Sequence, residues 1–259
     1  MKDEVVHLNR TPGVATITLD SPHNRNALSR QLISELDHRL KTALDDRDVR
    51  VIVLTGAGPV FCSGADLKER RDTHEIPPRS RPGGLVPILT AMWDAPKPIV
   101  GRINGAARAG GVGLVAACDI AVAAEGATFA VNEVRIGVIP ATISVVLVPK
   151  IGATRAMELC LTGDTFDARA AVAHGLLTAV APEGGLDEAV GRYVTSLLKG
   201  APEALAACKR LVRDVPKLSM DAAFVEMADR SARSFASEEA REGMTAFAEK
   251  RPPRWTGLR

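Results

Sequence analysis

The spacing of apolar residues differs between two parts of the chain: strand and helix patterns alternate in the first part, and only helix patterns follow in the second. In the first two-thirds, apolar runs such as residues 49–54, interrupted only by Arg50, and residues 120–124 alternate with segments whose apolar residues recur every three or four positions. From residue 186 onward, the pattern is almost entirely that of helices. We therefore predict an α/β core over residues 1–185, followed by a helical C-terminal region over residues 186–259.

Several element boundaries can be predicted from local chemistry. Ser29, Asp167 and Ser237 each stand just before a helical pattern, at the position of an N-cap. A last strand is predicted over residues 176–180. Residues 70–84 are charged and rich in Pro and Gly, so we expect a mobile surface loop there.

The most glycine-rich stretch follows an apolar run at residues 98–103 that predicts a buried strand. Residues 104–119 contain Gly110, Gly111 and Gly113 and continue into small and apolar residues that suit a buried helix. A strand, a glycine loop and a helix in this order leave N–H groups unpaired at the helix N-terminus, where they can bind negative charge. A tight turn with close helix packing would account for the glycines equally well.

A second glycine turn, Gly64-Ala65-Asp66, also follows an apolar strand and precedes a short helix. If the two strands are neighbours in the fold, the N–H groups of Ala65 and Gly110 converge on one oxygen atom. Two such donors form an oxyanion hole, which stabilises the enolate of a thioester.

Glu133 lies in the nearly apolar segment at residues 131–139. Its side chain is either a surface residue between core positions or a partly desolvated carboxyl group with a raised pKa, which would suit acid/base chemistry. The sequence leaves both interpretations open.

The composition excludes several classes of function. The 259 residues carry a formal net charge of +2, too small to indicate nucleic-acid or membrane binding, and no apolar run is long enough to span a bilayer. The four cysteines form no C-x-x-C motif and are expected to be buried thiols, which fits a reducing cytoplasm. We therefore predict a cytoplasmic protein whose partners include neither nucleic acid nor membrane.

Other kinds of site are not favoured by the same residues. The run Gly56-Ala57-Gly58 lacks the third glycine of a dinucleotide-binding motif, because Phe61 stands in its place. The histidines show no H-x-x-H or H-E-x-x-H spacing for zinc, and no serine lies in a G-x-S-x-G motif.

Taken together, these features resemble the crotonase (enoyl-CoA hydratase/isomerase) superfamily in order and spacing. The matching segments, which cover essentially the whole chain, are residues 24–29, 61–70, 104–119, 133–140, 242–244 and 249–253. The resemblance implies an α/β fold, a crotonase-like spiral of ββα units with a helical C-terminal trimerisation region. It also implies assembly as a homotrimer, often paired into a hexamer.

The resemblance further implies a binding site for an acyl-CoA thioester, with no metal or redox cofactor. The positions it assigns are the oxyanion-hole donors Ala65 and Gly110, the acid/base Glu133, and the CoA contacts Ala27, Asp66, Leu67, Lys68, Phe247 and Lys250.

One position departs from the family's best-known hydratases, which have a first catalytic glutamate where this chain has Gly113. Two carboxylates naturally share the work of deprotonating a water and delivering a proton to C2. However, the patterns around Gly113 and Pro140 and the tail at residues 249–255 resemble bacterial methylglutaconyl-CoA hydratase-like members. We therefore expect hydration of a 2-enoyl-CoA, with a branched or carboxylated acyl group as in leucine degradation.

Two alternatives stay open. A 3-enoyl to 2-enoyl-CoA isomerase needs only one base, and a non-catalytic homologue would keep the acyl-CoA groove without turnover. Arg108 also stands where the family has a small or apolar residue. It either orients a substrate carboxylate or faces solvent or an interface.

Overall fold

The computed structural model of the chain describes residues 3–71 and 84–257. The strands, in chain order, are β1 (Val6–Thr11), β2 (Val14–Leu19), β3 (Val51–Gly56), β4 (Val60–Cys62), β5 (Ile99–Ile103), β6 (Ala106–Arg108), β7 (Ile120–Ala124), β8 (Thr128–Ala130), β9 (Phe166–Asp167) and β10 (Ala179–Ala181). The helices are α1 (Arg30–Asp45), α2 (Leu67–Arg71), α3 (Val86–Asp94), α4 (Gly110–Ala117), α5 (Ala141–Thr162), α6 (Ala168–Ala173), α7 (Leu186–Lys199), α8 (Pro202–Asp214), α9 (Met220–Phe235) and α10 (Glu238–Ala248). The loop predicted for residues 70–84 lies outside the described residues except at its two ends.

The larger sheet has the strand order β1-β2-β3-β5-β7-β10. β1 and β2 form an antiparallel hairpin, and the other neighbours are parallel. Ile52 and Leu54 of β3 face the main core, whereas Val51 and Val53 face a second apolar cluster that α7 completes. Because both faces are covered, the strand is a continuous apolar run rather than an alternating one.

The smaller sheet has the order β4-β6-β8-β9 and carries the candidate site. β4, β6 and β8 are parallel to one another, and β9 is antiparallel to β8. The carboxyl ends of the parallel strands therefore meet at one edge of the sheet.

The predicted fold class and the three predicted N-caps are confirmed. The side chains of Ser29, Asp167 and Ser237 each accept a hydrogen bond from the backbone N–H three residues later. Leu186 begins α7, so the helical region starts where the pattern changed, while the division into two domains stays a prediction.

The strand predicted over residues 176–180 is wrong in its position. Leu176 and Leu177 are buried in a turn after α6, where both backbone N–H groups donate to Ala171 O, and β10 begins only at Ala179. Apolar burial was the only signal available, and a buried turn produces the same signal as a strand.

α5 consists of two helical halves joined by a kink. Pro149 lies inside the helix, and Gly152 has φ 76° and ψ 160°, which is not a helical conformation. The first half carries Ile143 against α4, and the second half ends at Gly163, beside the turn that carries Glu133.

A largely buried carboxylate, Asp119, binds α8 to the core. Lys209 Nζ and Arg213 Nη2 on α8 each lie 2.8 Å from an Asp119 oxygen, and Arg213 also stacks on Trp93, 4.1 Å from the ring centroid. The Lys209 side chain is only 7% exposed, so its charge depends on this partner.

Asp119→Asn should therefore lower the free energy of unfolding by about 3 kcal/mol, because it leaves two largely buried cations without their counter-charge. Urea unfolding at a fixed protein concentration measures this loss. Glu125→Gln, which removes the exposed ion pair with Arg169, is the matched control and should cost at most about 1 kcal/mol. Equal losses in the two variants would contradict this role of Asp119.

Candidate active site

Three predicted site positions lie at the same edge of the smaller sheet. Ala65 follows β4, Gly110 follows β6, and Glu133 follows β8. These strands are parallel neighbours, and Ala109 N donates to Ala130 O at 2.9 Å where β6 and β8 end. The topology therefore delivers the two proposed donors and the carboxylate to one region.

The strands that precede Ala65 and Gly110 are not the ones predicted. β4 and β6 are additional short strands that follow the long apolar strands β3 and β5. Neither was predicted as a strand, because three residues, in β6 only Ala-Ala-Arg, carry no readable period. The condition that the two strands be neighbours is nevertheless met, by β4 and β6.

The turns after β4 and β6 approach each other through their backbones. Gly64 has φ 88°, and a Cβ built on it would lie 3.0 Å from both Ala109 Cβ and Arg108 O. Glycine is required there both by the positive φ and by the lack of space. This contact places the turn that carries Ala65 directly against the turn that carries Gly110.

The Ala65 N–H points away from its neighbouring strand segment. Leu28 pairs with Ala65 in a parallel bridge, in which Leu28 N donates to Gly64 O at 2.7 Å and Asp66 N donates to Leu28 O at 3.5 Å. The amide of the residue between those two partners faces the opposite side. Within the described residues, Ala65 N donates no hydrogen bond.

Gly110 is the first residue of α4, so its N–H has no partner within the helix. Ala109, just before it, has φ 48° and ψ −117°, an unfavourable conformation for a residue with a side chain. Such strain persists only where the surrounding packing requires it. The strained residue here sets the direction in which the Gly110 amide points.

The structure places Glu133 in a partly desolvated setting. It begins the 3-10 turn Glu133–Ile136, its side chain is half-buried, and burial raises the pKa of its carboxyl group. Its Oε2 atom is buried and has no hydrogen-bond partner within the described residues. A carboxyl group in this state is available to exchange a proton, and its catalytic role remains a prediction.

The space beside Gly113 is filled by an apolar side chain. A Cβ built on Gly113 would lie 2.4 Å from Ile143 Cγ2 and 2.9 Å from Ile143 Cβ. Gly113 is buried in α4, and Ile143 is 3% exposed. The space that a side chain at position 113 would enter is thus occupied by Ile143, a contact that only the packing of α5 on α4 could reveal.

Four of the predicted CoA contacts lie next to the Ala65 turn. Ala27 precedes Leu28 and is buried, while Leu67 and Lys68 are exposed at the start of α2. Asp66 is the N-cap of α2, because its Oδ1 accepts a hydrogen bond from Lys68 N at 3.0 Å. Its carboxylate therefore has a local structural role, and any ligand contact adds to that role.

The other two predicted CoA contacts lie elsewhere in the subunit. Phe247 is on α10 and is 87% exposed, and Lys250 follows α10 with φ 53°. α10 packs against α9, and Glu239 at its start accepts hydrogen bonds from backbone amides at the start of α8. These contacts join α10 to the helical region rather than to the turn that carries Ala65.

The guanidinium of Arg108 is engaged by backbone and hydroxyl oxygens. Its Nη1 donates to Thr128 O at 2.6 Å, and its Nη2 donates to Thr128 Oγ1 at 2.8 Å. Arg108 pairs with Ala130, so its side chain runs back along β8, away from the edge that carries Glu133. The structure therefore favours neither contact with a substrate carboxylate nor an arginine that faces solvent, because the guanidinium binds Thr128 within the smaller sheet.

The prediction of buried thiols holds for only part of the set. Cys62 and Cys118 are buried, and burial raises the pKa of each to about 12. Cys208 is exposed, which corrects the prediction, because its position on α8 faces away from the core.

Residues 3–71 and 84–257 contain no cluster of His, Cys, Asp and Glu that could hold a metal ion, and no helix among them could cross a membrane.

Comparisons with known proteins agree with this fold. The family model for enoyl-CoA hydratase/isomerase matches residues 9–258. A putative enoyl-CoA hydratase from Thermus thermophilus is 36% identical over 245 residues, covering 93% of this chain and 97% of that protein. Carnitinyl-CoA dehydratase from Shigella flexneri is 33% identical over 260 residues, covering 98% of this chain and 99% of that protein.

A solved structure gives the same result. The crystal structure of an enoyl-CoA hydratase from Shewanella pealeana matches with a TM-score of 0.90 at 29% identity, covering 97% of this chain and 96% of that one. The architecture is therefore the crotonase fold. The chain belongs to the enoyl-CoA hydratase/isomerase family, whose members bind acyl-CoA substrates.

The contact between Gly113 and Ile143 gives a test by stability. In an open helix interior, Gly→Ala raises stability by about 0.5–1 kcal/mol, and Gly191 of α7, with nothing within 4 Å of its built Cβ, should behave in this way. Gly113→Ala should instead lower stability by about 1–3 kcal/mol, because the new methyl meets Ile143.

Chemical unfolding of Gly113→Ala, of Ile143→Ala and of the double variant measures the coupling between these two positions. We expect the cost of Gly113→Ala to shrink when Cγ2 of Ile143 is absent. Strict additivity of the two changes would contradict the account.

Proposed function

We propose that the chain catalyses the addition of water across the 2,3 double bond of a 2-enoyl-CoA, and the reverse dehydration. The observation that carries this proposal is the meeting of two main-chain donors and one desolvated carboxyl group at the ends of β4, β6 and β8. The names of the relatives, hydratase and dehydratase, support the same direction of chemistry.

In this mechanism the amides of Ala65 and Gly110 donate to the thioester oxygen of the bound substrate. Glu133 takes a proton from water, and the hydroxide oxygen forms a bond to C3 while the double-bond electrons move onto the thioester oxygen. The resulting enolate is stabilised by the two donors, and the loss of one such donor costs about 3–4 kcal/mol in the transition state. Glu133 then returns the proton to C2, which regenerates the carboxylate.

The ligand and the assembly follow the family pattern in this proposal. The CoA moiety runs past Ala27 and residues 66–68, and the acyl group is branched or carboxylated, as in leucine breakdown. No metal or redox cofactor takes part.

Large exposed apolar side chains on α9, such as Phe224 and Phe235, support assembly into a homotrimer or hexamer. Phe247 and Lys250 would then approach CoA from the helical region, and the protein would act in the cytoplasm.

A second candidate is the isomerisation of a 3-enoyl-CoA to a 2-enoyl-CoA. It is favoured by the contact between Gly113 and Ile143, because an apolar side chain fills the place of a second carboxylate. One base suffices for this reaction. Glu133 would remove a proton from C2 and return it to C4 of the dienolate held by the oxyanion hole.

Glu133→Gln should abolish turnover while leaving acyl-CoA affinity unchanged, because the charge is removed and the shape is kept. Turnover is measured with crotonyl-CoA, 3-methylglutaconyl-CoA and a 3-enoyl-CoA, with products separated by mass. A 3-hydroxyacyl-CoA product identifies hydration, and a product of unchanged mass from the 3-enoyl substrate identifies isomerisation. Wild-type turnover by the variant would remove Glu133 from the mechanism, and tight binding without turnover by the unaltered protein would identify a non-catalytic homologue.

The raised pKa of Glu133 also predicts how activity and stability depend on pH. The base must be ionised, so kcat/KM should fall with decreasing pH through an apparent pKa above the ordinary value of about 4.3.

Because folding disfavours the ionised form, the carboxylate lowers stability as the pH rises through its raised pKa. Glu133→Gln should therefore melt at a higher temperature than wild type at pH 7 and at the same temperature at low pH. A lower melting temperature at pH 7 would contradict the desolvation of Glu133.

A further inference from the structure

The turn that carries Glu133 is attached to the end of α5 by Arg135. Arg135 Nε donates to Gly163 O at 3.1 Å, and its Nη2 donates to Thr162 O at 3.1 Å. The same Nη2 forms an ion pair with Asp164 Oδ1 at 2.5 Å. The last carbonyl groups of a helix lack partners within the helix and carry partial negative charge, so a guanidinium is well suited to bind them.

Gly163 allows this close approach. It ends α5 with φ 63°, and a Cβ built on it would lie 3.1 Å from Arg135 Nε and 3.3 Å from Val134 Cγ1. A side chain at this position would be strained by the backbone conformation and would press on the Glu133 turn. The two segments therefore fit together at both Gly163 and Arg135.

Apart from a hydrogen bond with its own backbone N–H, the carboxylate of Glu133 has no anchor among the described residues. No side chain among the described residues hydrogen-bonds to it, and its Oε2 is buried without a partner. Its position thus depends on the backbone of the turn, which is closed by hydrogen bonds from Val138 N to Glu133 O and from Gly137 N to Val134 O, both 3.2 Å.

We propose that Arg135 is a positioning residue for Glu133, since it fixes the 3-10 turn to the C-terminal end of α5 and thereby holds the carboxylate at the site. This inference rests on the proposed acid/base function of Glu133. Arg135 itself does not touch the substrate in this account. Arg135 stands two residues after Glu133 in the chain. Its three interactions are all with residues of the protein itself.

The experiment compares Arg135→Ala and Arg135→Lys with wild type, using the full chain and the 2-enoyl or 3-enoyl substrate that it turns over best. For Arg135→Ala we expect kcat to fall about 10- to 100-fold with KM unchanged, because a small displacement of a reacting group reduces rate more than binding. The acid limb of the kcat profile should also shift. Cys160 of α5, which interacts electrostatically with Glu133, would then lie at a different distance from it.

Arg135→Lys should recover part of the rate, because an ammonium group reaches a helix-end carbonyl but lacks the fork that binds two acceptors at once. Arg155→Ala is the matched control, since Arg155 lies on α5, the helix to which Arg135 binds, and forms its ion pair within the described residues with exposed Glu158. It should leave both kcat and the pH profile unchanged. Gly163→Ala disturbs the same junction from the other side and should reproduce the loss of kcat in a chain that keeps Arg135.

The outcomes distinguish this inference from the proposed function. Wild-type kcat and pH profile in Arg135→Ala, with Glu133→Gln inactive, would overturn the positioning role and leave the proposed function intact. Full turnover by Glu133→Gln would overturn both. A loss in Arg135→Ala that only follows the folded fraction in thermal unfolding, with kcat per folded chain unchanged, would also overturn the positioning role. If Arg135→Ala does not fold, Gly163→Ala and Arg135→Lys decide by the same kcat and pH criteria.

Discussion

The candidate site depends on the close approach of two backbone turns, at the ends of β4 and β6. Gly64 and Ala109 are so near that a side chain on Gly64 would collide with the neighbouring turn. This contact, together with the pairing of Leu28 and Ala65, fixes the peptide planes on both sides. Main-chain donors held in this way need no reorganisation when charge develops on a ligand oxygen, which is the physical basis of an oxyanion hole. The strained conformation of Ala109 is part of the same arrangement.

The other feature of the site is the half-buried carboxyl group of Glu133. Ile143 fills the space beside Gly113, and burial raises the pKa of Glu133. A desolvated carboxylate is a stronger base, but it lowers stability and needs a rigid support. The first half of α5 contacts α4 through Ile143, and the end of its second half binds Arg135 of the turn that carries Glu133, so α5 contacts both sides of the site. The kink at Gly152 separates these two halves.

The sequence predicted the fold class, the helix N-caps and the places of the two glycine turns. Turns and caps could be predicted because they depend on local chemistry. It did not predict β4 and β6, whose pairing is decided by tertiary contacts rather than by a period. The contact of Ile143 with Gly113 and the anchoring of Arg135 at Gly163 join residues far apart in the chain, so no local pattern reports them. Arg108 is the opposite case. Its unusual place in the motif suggested a functional role, but its guanidinium binds Thr128 within the sheet.

The central claim is that the amides of Ala65 and Gly110 polarise the thioester carbonyl of a bound acyl-CoA. Hydrogen bonds to a carbonyl oxygen weaken the C=O bond, so they lower its stretching frequency. The most direct measurement is isotope-edited infrared difference spectroscopy of crotonyl-CoA labelled with ¹³C at C1 and bound to Glu133→Gln, which holds substrate without turnover. The account predicts a carbonyl band at clearly lower frequency than for the same ligand free in water. An unshifted band, with binding confirmed, would contradict it.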